Sequence, residues 1–99
     1  MRETHFALRD GDGIVITYTF GFSFFGKNIS FIKFVLTPNS SIGWHSHIRS
    51  KELYISFSNH IRFNDSEEKK VFNFFKEKQR HSVKNISPTA YAKIYAIKF

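Results

Sequence analysis

The stretch at residues 38–59, PNSSIGWHSHIRSKELYISFSN, decides how the rest of the chain is read. His45 and His47 stand one residue apart in it, and Glu52 lies five residues beyond His47. Side chains two apart on a strand share a face, so a strand over 44–47 aims both imidazoles the same way. The apolar run 53–57 reads as a second strand that stops at Ser58-Asn59. Two imidazoles and a nearby carboxylate make a ligand set suited to zinc, manganese, iron, nickel or cobalt. His81, in the run HSVKN, is the fourth candidate ligand. For an isolated His-x-His pair, the competing reading is two histidines on the surface.

The order and spacing of these residues resemble the two motifs of the cupin family. The first motif runs Gly, five residues, His-x-His, three or four residues, Glu, six residues, Gly. In this chain His45, His47 and Glu52 stand at the ligand positions, while Asn39 and Asn59 replace the two glycines. Asparagine is, after glycine, well suited to a left-handed turn, so both turns can survive the exchange. The second motif runs Gly, five residues, Pro-x-Gly, two residues, His, three residues, Asn. His81 and Asn85 match its end, but Lys70, Lys76 and Lys78 stand at its three turn positions. The loop before His81 therefore departs from the pattern. The resemblance implies an all-β fold: a single small cupin-type β-barrel of the double-sheet jelly-roll kind, covering 1–99, with the motifs at 38–59 and 70–85. It also implies a divalent transition metal held by His45, His47, Glu52 and His81, and assembly as a homodimer.

Composition agrees with a small β domain. Ninety-nine residues allow one core, and 13 phenylalanines supply large apolar area to fill it. There is no cysteine, so no disulfide or thiolate site exists. No apolar run is long enough to span a membrane, and residues 1–13 carry no apolar signal core, which together set a cytoplasmic expectation. Net charge is +7. The bases are spread along the chain and no nucleic-acid motif accompanies them, so the charge is read as attraction for small anions or as a solvated face.

Along the chain, residues 1–9 have no clear period and 10–13 form a turn. Residues 14–20 read as a strand, 21–28 as an unusually apolar loop, and 29–36 as a strand apolar on both faces and so covered by sheets on both sides. Residues 38–43 are a turn, 61–63 and 71–75 are strands, 76–80 is a charged loop, and 90–99 is the last strand. Phe22, Phe24 and Phe25 are expected to cover a barrel end or a subunit contact.

Other residues bear on function. Tyr54 shares the parity of Glu52, so it is a candidate proton donor or substrate contact, with a packed tyrosine as the alternative. Lys33 is the one charge in an apolar strand and reads as an edge lysine in solvent, with neutralisation of an anionic substrate as the alternative. Trp44 has the opposite parity to the histidines and reads as core or interface packing. Asn85 is expected to tie the turn after His81, and His5 and His60 read as surface residues. Two functions follow. One is a metal-dependent isomerase, epimerase, lyase or dioxygenase acting on a small sugar or carboxylate. The other is a non-catalytic module that holds a small ligand or metal for a partner protein.

Overall fold

The computed structural model describes all 99 residues. Nine strands follow in order: β1 (Arg2–Phe6), β2 (Ile14–Phe24), β3 (Lys27–Leu36), β4 (Ser41–His45), β5 (Glu52–Ile55), β6 (Ile61–Phe63), β7 (Phe72–Phe75), β8 (His81–Asn85) and β9 (Ala92–Lys98). A short 3-10 turn, Leu8–Asp10, joins the first two. The strands form two antiparallel sheets, one ordered β1-β2-β3-β9-β5-β7 and the other β4-β8-β6.

Alternation of side chains builds the core between these sheets. On β9, Ala92, Ile94 and Ala96 point inward and are buried, while Lys93 and Tyr95 point out. Val15, Phe34, Leu36 and Tyr54 join them from the large sheet, and Ile42, Ile61, Phe63 and Val83 face them from the small one. Asn85, fully buried at the end of β8, closes the packing with hydrogen bonds. Its Nδ2 donates to the carbonyls of Leu36, Thr37 and Ala90, and its Oδ1 accepts from the Ser87 amide. That is the tying role expected of it.

Several elements differ from the sequence expectation. Residues 1–9 contain strand β1, whose inward set is one histidine and one glutamate, so no apolar period announces it. Residues 21–28 are no loop. Phe20, Phe22 and Phe24 keep the period of two straight through Gly21, and only Phe25 (φ 48°) and Gly26 (φ 75°) turn. Positive φ at both central residues is the tight hairpin turn whose twist matches its strands. β3 is covered on one face only. Ile32, Phe34 and Leu36 face the core, whereas Phe31 and Lys33 lie on the outer surface of the sheet. Lys33 sits on an interior strand, not an edge, with its ammonium 5.2 Å from the centre of the Tyr18 ring.

Candidate metal centre

The four ligand candidates come from both sheets. His45 ends β4 and His81 begins β8, and the two are direct partners in the small sheet. Glu52 begins β5 in the large sheet and faces them across the interior, with Tyr54 two residues further on the same face. His47 is not on the strand expected over 44–47. β4 starts earlier, at Ser41, and ends at His45, so His47 lies in the connection that follows.

His45 faces inward because of a bulge. Ile42 pairs with Val83 and His45 with His81, so three steps on β4 match two on β8. Ile42 is buried. Without the extra residue, strict alternation would turn His45 outward. Gly43 makes the bulge compatible with the crossing chain: a Cβ there would stand 1.8 Å from the Arg9 carbonyl oxygen. Trp44 is pushed to the surface, 43% exposed, with the Arg80 guanidinium 5.9 Å from its ring centre. Of the two roles expected for this tryptophan, core packing is thus corrected.

The loop before His81 closes without the proline and glycine of the motif. Lys78 takes the left-handed conformation, φ 63°, at the motif's glycine position. Its amide donates to the His47 carbonyl at 2.6 Å, which ties the connection carrying His47 to the turn leading into His81. The Gln79 side chain accepts from the Lys76 amide and completes the turn. Asn39 is left-handed at φ 60°, as the exchange for glycine requires, but Asn59 is not left-handed.

One ligand atom from each of His45, His47, Glu52 and His81 lies within 4.8 Å of all the others. His45 Nδ1 donates to the Gly43 carbonyl at 2.8 Å and His81 Nδ1 to the Gln79 carbonyl at 3.1 Å. That tautomer leaves each Nε2 with a lone pair aimed at the cluster, the arrangement by which backbone carbonyls orient ligating imidazoles. His47 Nε2 stands 2.9 Å from Glu52 Oε2, and His81 Nε2 stands 3.8 Å from Oε1. Neither contact has hydrogen-bond geometry, so His47 Nε2, His81 Nε2 and Glu52 Oε1 are buried without a hydrogen-bond partner. Buried orphaned polar atoms are costly, and several converging on one point are rare. One divalent cation satisfies all of them at once, so the residues fit a metal.

Electrostatics prepares the same donor set. Burial lowers the His45 pKa to about 4 against the pull of the Gly43 carbonyl, and His81 and His47 add to the fall. Burial by itself would raise the Glu52 carboxyl; His47, then His81 and Tyr54, hold it well below the usual range instead. At neutral pH His45 is therefore a neutral imidazole and Glu52 a charged carboxylate, the forms that ligate. Tyr54 is fully buried, its hydroxyl makes no hydrogen bond, and burial followed by the Glu52 charge pushes its pKa well up. It stays a phenol, a donor beside the carboxylate.

A cavity of about 160 Å³ opens on the cluster. His5, read from sequence as a surface residue, lines it from β1. Its Nε2 is 3.3 Å from Thr17 Oγ1 and 3.3 Å from Glu3 Oε2. Arg9 and Lys98 also line it, and neither stood out in the sequence. The register of β1 and β9 turns His5 and Lys98 toward the site, and the 3-10 turn between β1 and β2 brings Arg9 there. His60, by contrast, sits beyond Asn85, at the end of β8 away from His81.

This two-sheet arrangement is the fold of a small cupin domain. No protein-family model matches the sequence, and no curated protein matches it. Solved structures do. A predicted oxalate decarboxylase from Thermotoga maritima is 18% identical, with a TM-score of 0.73 over 100% of this chain and 91% of that one. The protein TT1209 from Thermus thermophilus is 17% identical, with a TM-score of 0.60 over 83% of this chain and 81% of that one. Peruvianin-I, a cysteine peptidase from Thevetia peruviana latex, is also 17% identical, with a TM-score of 0.61 over 83% and 60%. At these identities the likeness to all three is one of architecture.

Proposed function

We propose that the chain binds one divalent transition metal through His45, His47, Glu52 and His81 and uses it on a small molecule. The observation that carries this reading is the convergence of four ligand atoms, three of them on residues with orphaned buried polar atoms. Zinc, manganese, iron, nickel and cobalt all suit three imidazoles and one carboxylate. Four protein ligands leave positions open on an octahedral ion, where water or substrate can bind and be polarised. Such a metal serves an isomerase, epimerase, lyase or dioxygenase, and the likeness to a predicted decarboxylase supports an enzyme on this fold. Within that reading, Tyr54 is a hydrogen-bond donor to the reacting group, because its phenol keeps its proton.

Elemental mass spectrometry of tag-free protein, purified without chelator, tests the proposal. We expect about one equivalent of metal per chain. His45→Gln and His81→Gln should lose most of it while keeping the β circular dichroism spectrum. Full occupancy in both variants would overturn the ligand assignment.

A second reading, of how the chain assembles, rests on a separate observation. The outer face of the large sheet is apolar and largely uncovered: Phe20, Phe31, Phe72 and Tyr95 are each at least 44% exposed. We infer that two copies pair through this face.

A further inference from the structure

We propose that Arg9 and Lys98 form an anion-recognition side of the cavity, so that the small molecule taken at the metal centre is a carboxylate. This rests on the metal reading above and adds the class of ligand. Both cations line the same cavity as His45, His47 and Glu52. Neither makes a side-chain ion pair. The one carboxylate in the lining is Glu52, itself one of the four candidate metal ligands. A bound divalent ion would add two positive charges to a site already carrying these two cations. Even with the Glu52 charge counted, the loaded site carries net positive charge, which favours an anion over a neutral ligand of similar size.

Each cation is set in place by the backbone. Lys98 lies directly across from Glu52 in the ladder between β9 and β5, yet its ammonium is not drawn to that carboxylate. Arg9 sits in the left-handed conformation, φ 55°, in a segment clasped to β4. Gly43 packs on the Arg9 carbonyl, and Gly11 packs on the Ser41 carbonyl, closer in both cases than any side chain would allow. That clasp anchors the backbone of Arg9 beside the cavity it lines. A planar guanidinium pairs two N–H groups with the two oxygens of a carboxylate. The small cavity then brings the other end of a short acid to the metal cluster. Lys98 also lines a second groove of about 320 Å³ whose charged side chains are Lys27, Arg49 and Lys98, so the surface beside the cavity is basic as well. Clustered charge of one sign attracts the opposite charge.

Isothermal titration of the zinc-loaded chain with malonate and with its neutral diamide, malonamide, tests the proposal. Malonate should bind and malonamide should not. Arg9→Gln and Lys98→Gln should each weaken malonate binding by about tenfold or more, the loss of one charge-assisted contact. Lys93→Gln makes the same change of net charge on the outer face of β9, away from the cavity, and should bind malonate as the native chain does. Zinc content should stay near one equivalent in all three variants. Equal binding of the acid and the diamide would overturn the anion side, as would native malonate affinity in zinc-loaded Arg9→Gln and Lys98→Gln. A chain that holds no zinc, yet binds malonate through Arg9 and Lys98, would sink the metal centre and keep the anion side.

Discussion

His45 and Glu52 link the site to the acid stability of the fold. His45 titrates near pH 4 in the folded chain against an ordinary value of 6.5. Between those values the unfolded chain holds the extra proton, so folding weakens as pH falls from 6.5 toward 4. Glu52 is depressed below its ordinary 4.5, so the stability it contributes is complete above that pH and is lost on acidification below it. Both act in one direction. Melting temperatures of the metal-free chain should be highest above pH 6.5 and fall steadily toward pH 4, and His45→Gln should flatten the upper part of that fall. A native profile that is flat from pH 7 to pH 5 would contradict the burial of a neutral imidazole. Lys78 carries a different cost. A left-handed conformation at a residue with a Cβ is strained by roughly 1–2 kcal/mol, and glycine would relieve it at some expense in chain entropy. Lys78→Gly should raise stability by a net of about 0.5–1 kcal/mol in urea melts, with metal content unchanged.

At the scale of elements, the site depends on one irregularity in β4. The bulge at Gly43 and Trp44 changes the phase of the strand, so that Ile42 enters the core and His45 enters the cluster. The same glycine receives the backbone of the 3-10 turn, and the atoms a Cβ would strike there are main chain, which cannot swing aside. Gly43→Ala should therefore cost at least about 2 kcal/mol by forced displacement. It should also lower metal occupancy, since His45 moves with the bulge. Native stability in this variant, measured by urea unfolding, would show that the 3-10 turn does not hold its place on β4. The β2–β3 hairpin teaches the complementary lesson. Its aromatic alternation was present in the sequence at Phe20, Phe22 and Phe24, but two nearby glycines masked it. Gly21 is an ordinary strand residue and only Gly26 turns the chain.

The whole molecule is elongated, 43 × 26 × 24 Å. β1 and β9 stop short of the hairpin tip, so residues 20–29 extend past their neighbours in the sheet. Phe22 stacks on Phe31 at 5.8 Å and Phe20 lies 6.1 Å from Phe22, continuing the apolar outer face onto this arm. An exposed apolar face of this character marks an interaction surface, and self-pairing covers it with matching chemistry. Light scattering at micromolar concentration should give a dimer, and Phe31→Glu should give a monomer that keeps its metal. A monomeric native chain would remove the self-pairing reading.

The sequence by itself determined the all-β class, most strand positions and the identity of the four candidate ligands. Those follow from local alternation and spacing, which the chain carries before it folds: His45, His47, Glu52 and His81 were readable because their types and intervals match the two cupin motifs. Tyr54 was readable too, because parity along β5 follows from its distance to Glu52. Tertiary structure alone decided the rest. The bulge that turns His45 inward and the arrival of His5 and Lys98 at one cavity are set by register between strands, while the left-handed Lys78 on the His47 connection and the 3-10 turn carrying Arg9 are set by loops packing on segments far away in sequence. Register is fixed by which faces bury together. A single strand carries no record of its partner, so those contacts exist only once the two sheets have closed on their core.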